Sequence, residues 1–159
     1  MSDPTPRDET GIRFPPPFIY GLFFLAGYLL QRLTPVTLVG GNPEWLDTVG
    51  LVLIGAGVAF AVTAAMTFRR AGTHVNPTKP ATTIVAHGPF RLTRNPMYLS
   101  MAVIYTGGLL MLDSIWPLLL FPILLWVIRT RIIDLEEAYL ERKFGAVYLD
   151  YKRKVRRWL

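Results

Sequence analysis

Two polar clusters interrupt an otherwise apolar chain, and their residue types suit the binding of a ligand that carries both charges. The first cluster, residues 73–98, is rich in threonine, proline and arginine; the second, residues 129–137, places two arginines before three carboxylates. A carboxylate can accept hydrogen bonds from an ammonium group or a ribose diol, and the backbone N–H groups of a rigid loop can bind a ligand carboxylate. Together the clusters favour a site for a zwitterionic ligand.

The acidic residues of the second cluster also have a plainer interpretation. Glu136 and Glu137 could pair with Arg129, Arg131 or Lys143 on a solvated helix face. Exposed pairs of that kind contribute little to stability. The sequence alone leaves both interpretations open.

Prolines restrain the end of the first cluster. Pro89 and Pro96 lie on either side of a short basic segment, and each fixes its own φ and restricts the preceding residue. Pro96 falls where the first turn of a helix would begin, which is the helical position that tolerates proline best. The pattern predicts a rigid loop that leads into a helix from the aqueous side.

The elements that must position this loop are apolar helices. Hydrophobic residues make up 52% of the chain and charged residues only 18%, which is typical of a membrane protein. The length of the apolar runs predicts an all-α integral membrane protein with about four transmembrane helices, the last two forming a short hairpin. The runs are residues 18–39, 48–68, 97–112 and 115–128.

The two ends of the chain differ in character. Residues 1–17 are predicted to be a disordered lead-in, and residues 18–159 a single domain. From residue 134 onward, apolar and aromatic residues recur every three to five positions, with a break at Gly145. This amphipathic pattern predicts a C-terminal interfacial helix that lies on the membrane surface.

Charge placement predicts the topology and the partners. The net charge is +6, and most of the basic residues flank the 71–95 loop and the C-terminus. The positive-inside rule therefore places the loop and both termini in the cytoplasm, at the inner membrane of a bacterium. Because the basic excess lies beside apolar runs, the expected partner is the lipid bilayer rather than nucleic acid.

Composition also excludes some chemistry. The chain has no cysteine, so disulfides, thiolate metal sites and cysteine nucleophiles are excluded. With His74 and His87 as its only histidines, it is not expected to bind a metal.

Several short motifs occur in a fixed order from Thr73 onward. They are Thr73-His74-Val75-Asn76-Pro77, Gly88-Pro89-Phe90-Arg91, Arg94-Asn95-Pro96-Met97-Tyr98, and Glu136-Glu137 with Leu140, Phe144-Gly145, Tyr148 and Tyr151. Together they resemble the isoprenylcysteine carboxyl methyltransferase and phospholipid methyltransferase superfamily, over roughly the second half of the chain. The resemblance implies a membrane enzyme that uses S-adenosyl-L-methionine (SAM), releases S-adenosyl-L-homocysteine (SAH), and methylates a lipidic or hydrophobic small molecule.

The same resemblance implies where the cofactor would bind, with the SAM-binding part in residues 73–159. Asn95 stands where eukaryotic members have a histidine, so their substrate is not carried over. Arg131 is nearest to the family's substrate-binding arginine, although its spacing to Glu136 differs by about one residue. The implied cofactor-binding residues are Thr83, Ile84, Val85, Phe90, Arg94, Asn95, Pro96, Met97, Tyr98 and Glu136.

The chemistry of methyl transfer leaves the acceptor open. A carboxylate acceptor needs no base, whereas an amine must be neutral and so needs a proton acceptor. His87, Glu136 and Glu137 are the nearby candidates for that acceptor. The predicted catalytic residues are therefore Arg131, Glu137 and His87.

Two other functions fit the same sequence. One is an NADPH-dependent membrane reductase of the sterol-reductase type, which resembles this superfamily in its C-terminal region. The other is a non-catalytic four-helix membrane protein with basic anchors.

Overall fold

The described residues of this computed structural model are 10–12, 14–41 and 43–159. They form helices and no strand, which confirms the predicted all-α class. A 3-10 turn, Gly88–Arg91, precedes α3, and a π-helical stretch, Arg129–Ile133, joins α4 to α5. The helices are α1 (Pro16–Leu33), α2 (Glu44–Arg70), α3 (Pro96–Met111), α4 (Ile115–Ile128), α5 (Asp134–Phe144) and α6 (Ala146–Lys154).

Prolines set the limits of α1. The helix begins at Pro16, inside the segment predicted as a disordered lead-in, most of which lies outside the described residues. It ends at Leu33, six residues before the end of the predicted apolar run of residues 18–39. The reason is that Thr34 precedes Pro35 and has φ −137° and ψ 82°, outside the helical region.

Small residues bring the helices close together in two pairs, α2 with α3 and α1 with α4. A Cβ atom on Gly107 of α3 would lie 2.5 Å from the carbonyl oxygen of Gly50 on α2. Likewise, a Cβ on Gly57 would lie 2.9 Å from the carbonyl oxygen of Ser100. The close approach predicted for the glycine-rich second run is confirmed.

Of the described helices, α2 alone is both long and apolar enough to cross a membrane, whereas α3 is a shorter apolar helix. The arrangement of four crossings therefore stays a prediction. Large apolar side chains of α2 are nonetheless exposed along its length, among them Leu51, Val52, Val58, Val62 and Met66.

The predicted turn between α3 and α4 is confirmed, and its acidic residue has a structural role. Asp113 has φ 42° and is buried. One of its carboxylate oxygens accepts the backbone N–H groups of Leu38 (3.1 Å) and Val39 (3.0 Å). The chain that follows α1 is thereby fixed against the α3–α4 turn, at the end of the bundle opposite the polar loop.

The C-terminal tail is helical, with the predicted break at Gly145, where φ is 53°. Part of its apolar face is buried against the polar loop, which contributes its own apolar residues to cover it. Tyr148 and Tyr151 are buried, and the Tyr151 hydroxyl donates to the carbonyl of Phe90 (2.7 Å). Leu135 of the same pattern is exposed, and the placement of the tail on the membrane surface stays a prediction.

The glycine contact between α2 and α3 leads to a stability prediction. We expect Gly107→Ala to lower the free energy of unfolding by about 1–3 kcal/mol, because the added methyl group overpacks the contact with Gly50. Gly55→Ala is the matched control, since a Cβ there would have no neighbour within 4 Å. Thermal unfolding in detergent, followed by circular dichroism, measures both. Equal melting temperatures for the two variants would contradict the contact.

Candidate active site

An open cleft lies between the polar loop and helix α5. We call it the polar cleft, and its walls combine hydroxyl, carboxylate and guanidinium groups with apolar side chains. Most of the predicted site residues line it, namely Thr83, Ile84, Val85, Phe90, Arg94, Asn95, Glu136 and Glu137.

Hydrogen bonds fold the loop back on itself and hold it in place over the cleft. The Thr73 hydroxyl accepts the backbone N–H of Thr82 (3.1 Å), and the Thr82 hydroxyl donates to the carbonyl of Gly72 (2.9 Å). Further along, the N–H of Ala81 donates to the Tyr139 hydroxyl on α5 (3.2 Å). Pro96 occupies the first turn of α3, as predicted. The loop is therefore held by its own polar groups and by α5.

Glu136 lines the polar cleft, and its carboxylate can accept further hydrogen bonds. The Tyr98 hydroxyl donates to its Oε2 (2.5 Å), and the Tyr20 hydroxyl donates to the Tyr98 carbonyl (3.0 Å). Part of the side chain reaches the cleft surface, but burial of the carboxylate raises the pKa of Glu136. The Tyr98 hydrogen bond lowers this pKa, and the charge of Glu137 raises it. A carboxylate has about four acceptor positions, and Tyr98 uses one of them.

Glu137 has a different environment although it is the next residue. It is 4% exposed, and Arg157 binds both of its carboxylate oxygens, with distances of 3.1 Å and 2.7 Å. Arg94 adds an ion pair at 3.1 Å and Lys152 a longer one at 3.6 Å. These cations belong to the loop and the C-terminal tail, whereas the sequence suggested partners on the same helix face. Glu137 is thus held in a buried ion cluster.

The last residues of the chain are held against the end of the loop. The Thr93 hydroxyl (2.9 Å) and the Asn95 side-chain amide (3.0 Å) both donate to the carbonyl of Arg157. The backbone N–H of Arg94 donates to the carbonyl of Arg156 (2.9 Å). Asn95 lines the cleft as predicted, but its amide binds the tail.

Sequence reasoning missed Lys152 and Arg157 as part of this arrangement. The available signal was the basic run of residues 152–157 set against the acidic residues 134–141. Nothing in the sequence spacing indicates which acid pairs with which base.

A second cavity, about 790 Å³ and mostly apolar, adjoins the polar cleft. The two share a wall that includes Phe90, Arg94 and Glu136. Pro96, Met97 and Tyr98, predicted to bind the cofactor, line this apolar cleft and not the polar one.

The apolar cleft continues into a groove of about 900 Å³ between helices α1, α2 and α3. The two meet at Pro17 and Met101, which line both. Tyr20, Phe24 and Gly108 lie further along this apolar groove. One path therefore leads from the polar cleft, past Glu136, to an apolar surface on the side of the bundle.

Two predicted catalytic residues lie away from these cavities. His87 precedes the 3-10 turn and is exposed, and Arg131 lies in the π-helical stretch and is also exposed. Neither lines the polar cleft or the apolar cleft. The structure brings neither of them to the other candidates, and their catalytic roles stay predictions.

Comparison with known proteins shows the family of this chain. The family model described as phospholipid methyltransferase matches residues 45–147, well over half of the chain. The chain belongs to this family. Protein-S-isoprenylcysteine O-methyltransferase A of Arabidopsis thaliana is 30% identical over 131 residues, which are 80% of this chain and 66% of that protein.

Other relatives of the family match to different extents. A probable protein-S-isoprenylcysteine O-methyltransferase of Oryza sativa subsp. indica is also 30% identical, over 80% of this chain and 69% of its own. The Schizosaccharomyces pombe protein-S-isoprenylcysteine O-methyltransferase is 33% identical over 72 residues, 45% of this chain and 30% of its own. The chain thus spans about two thirds of the length of its plant relatives. No solved structure matches it.

The family match covers the loop, α3, α4 and α5, and with them most of the wall of the polar cleft. Lys152 and Arg157 lie outside the matched segment. The buried ion cluster is therefore formed partly by residues that the comparison does not describe.

The contrast between the two glutamates gives opposite predictions for stability. Glu136→Gln keeps the acceptor for Tyr98 and removes a desolvated charge. The pKa of Glu136 is raised in the folded state, so the unfolded state loses this proton at a lower pH than the folded state does. The stability of the wild type therefore falls as the pH rises above the ordinary glutamate pKa of about 4.3, until the raised pKa is passed. The variant should therefore melt at a higher temperature than the wild type at neutral pH, and the gain should vanish in acid. No gain at neutral pH would contradict a desolvated Glu136.

Glu137→Gln is the matched comparison. We expect it to lower the free energy of unfolding by about 3 kcal/mol at neutral pH. The reason is that Arg94 and Arg157 lose the carboxylate that they share. The same melting experiment measures this loss. A stability equal to that of the wild type would mean that the cluster contributes nothing net.

Proposed function

We propose that this chain is an integral membrane methyltransferase that uses SAM and methylates a lipidic or hydrophobic acceptor. The observation that carries the proposal is that a polar cleft and an apolar cleft share one wall, at Glu136 and Arg94. Family membership supports methyl transfer as the reaction. The shared wall offers one place where a polar donor and an apolar acceptor could meet.

The exposed apolar surface supports placement in a membrane. A contiguous apolar surface of this extent is unfavourable in water, and on α2 it includes residues from Leu51 to Met66. Arg69 and Arg70 end α2 beside the polar loop, and Glu44 and Asp47 lie in its first turn at the other end. By the positive-inside rule, the loop and the polar cleft face the cytoplasm of a bacterial cell.

The residues of the polar cleft suit SAM. Glu136 has acceptor capacity for the ribose hydroxyls or the ammonium group, and Val85 and Phe90 offer apolar surface to the adenine ring. Arg94 offers a guanidinium to the ligand carboxylate, and its Nε is buried without a hydrogen-bond partner. When bound, SAM would supply a methyl group already activated on its sulfonium sulfur. The chain has then to align the acceptor and exclude water.

The apolar cleft and the apolar groove suit the hydrophobic part of the acceptor. From Pro17 to Phe24 on α1, and from Met101 to Gly108 on α3, the groove follows seven helical steps, about 10 Å. An acceptor could lie there with its reactive group toward Glu136. The names of the relatives make an isoprenylcysteine carboxylate one candidate, and the family description makes a phospholipid another.

Oxygen and nitrogen acceptors differ in whether a proton must be removed from the acceptor. Loss of a proton from an amine needs an acceptor, and Glu136, hydrogen-bonded to Tyr98, is the carboxylate at the shared wall. A carboxylate acceptor would need no such group. Labelled methyl transfer to paired amine and carboxylate acceptors of equal chain length distinguishes the two.

Ligand-induced stabilisation tests the function. SAH should raise the melting temperature of the purified protein in detergent, because a ligand that binds only the folded state stabilises it. Glu136→Gln should weaken SAH binding by about 1–3 kcal/mol, the value of a hydrogen bond to a charged group. Glu141→Gln is the control, because Glu141 is on the same helix and lines neither cleft.

The outcomes of this titration separate the three functions. Stabilisation by NADPH and not by SAH would favour the reductase. Stabilisation by neither would favour a non-catalytic protein. Labelled SAM incubated with a membrane lipid extract would then identify the class of acceptor.

A series of acceptors of increasing chain length tests the role of the groove. We expect the apparent affinity to improve by about 0.8 kcal/mol for each methylene that the groove buries, and then to level off. The measurement is KM in mixed micelles at constant surface concentration. If short, water-soluble acceptors are methylated as efficiently as long ones, the groove does not bind the acceptor.

A further inference from the structure

We infer that Arg157 is a positioning residue, which neutralises Glu137 and so leaves Glu136 as the acceptor carboxylate of the polar cleft. The inference rests on the proposed function, because it is measured through SAH binding. It assigns a role in the site to the C-terminal segment, which lies outside the family match.

The starting point is the adjacency of two carboxylates at one cleft. Glu136 and Glu137 both line the polar cleft. Two neighbouring negative charges oppose each other's ionisation, and the effect is larger where the groups are desolvated. For Glu136 to accept hydrogen bonds as an anion, the charge of Glu137 must therefore be compensated nearby.

Arg157 provides this compensation with two bonds. Its guanidinium binds both carboxylate oxygens of Glu137 and also Asp134, at 2.9 Å. The hydrogen bond to Glu137 raises the pKa of Arg157, which favours its charged form. Lys152 is a weaker partner, because its ammonium also pairs with Glu141.

The segment that carries Arg157 is itself fixed in place. Its carbonyl accepts from Thr93 and Asn95, and the carbonyl of Arg156 accepts from the backbone of Arg94. The guanidinium therefore does not need to be ordered by Glu137 alone, which lowers the entropic cost of the ion pair.

The groups that face Glu136 make Glu137 the main source of negative charge. Tyr98 of α3 donates a hydrogen bond to Glu136, and Tyr20 of α1 is bonded to Tyr98. From α6, Tyr148 interacts electrostatically with Glu136, and the loop residues Arg94, His74 and Lys79 line the polar cleft. Arg94 also lines the apolar cleft together with Glu136, and it is already paired with Glu137. Loss of Arg157 would thus leave excess negative charge beside Glu136.

The experiment measures SAH affinity by calorimetry, in detergent, from mildly acid to mildly alkaline pH. In the wild type, affinity should fall in acid as Glu136 takes up a proton. In Arg157→Ala the midpoint of this fall should move to higher pH by about one unit, because Glu137 keeps Arg94 and Lys152 but the cluster beside Glu136 loses one positive charge. Arg156→Ala is the matched control, since it removes the same charge from an exposed neighbouring side chain and should keep the wild-type midpoint.

A second substitution separates positioning from mere stabilisation. The double variant Glu137→Gln/Arg157→Ala removes one negative and one positive charge, so the net charge beside Glu136 equals that of the wild type. The wild-type midpoint should therefore return. A lower melting temperature for Arg157→Ala with an unchanged midpoint would overturn the inference alone. If Arg157→Ala does not fold, the double variant decides, and a shifted midpoint or loss of SAH binding there overturns the inference. Absence of SAH binding by the wild type would overturn the proposed function and this inference with it.

Discussion

The arrangement of the site depends on one buried carboxylate, that of Glu137. It joins Arg94 of the loop and Arg157 of the C-terminal tail to helix α5, three segments that are distant in sequence. A buried ion pair is favourable only when its hydrogen-bonding groups are well satisfied, and here both carboxylate oxygens are bound by guanidinium groups. Most of the walls of the polar cleft belong to these same three segments, so the ion cluster is one of the interactions that hold the cleft together.

The features predicted correctly from sequence are those with local causes. The start of α3 at Pro96, the turn at Asp113 and the break at Gly145 each follow from the backbone preferences of one or two residues. The close contact of α2 with α3 follows from glycines at helical spacing. The features that were missed depend on distant partners. An amphipathic pattern shows that the tail has an apolar face, but not whether lipid or protein covers it, and Tyr148 and Tyr151 are covered by the loop.

The same distinction applies to the site residues. Positions 83–85, 90, 94 and 95 line one cleft because they lie on one continuous loop, whereas their binding of a cofactor stays a prediction. Arg131 had to be placed by its distance from Glu136 along a helix, and that distance departs by about one residue from the family pattern. The departure falls in the π-helical stretch Arg129–Ile133, where each turn holds an extra residue and side chains change direction. Arg131 is exposed in this stretch, and spacing counted on an ordinary helix does not fix the direction of its side chain.

Two adjacent glutamates with opposite environments show how the chain divides stability from function. Glu137 is satisfied by cations and contributes to the fold, whereas Glu136 is desolvated and accepts a hydrogen bond from Tyr98. A desolvated carboxylate reduces stability, and a fold retains one where it is compensated by a ligand or a reaction. Its position between a polar and an apolar cleft provides such a place, because any ligand that bridges the clefts must pass it. Under the proposed function, a ligand that donates a hydrogen bond to Glu136 would offset this cost, so the desolvated carboxylate would favour ligands that carry a donor.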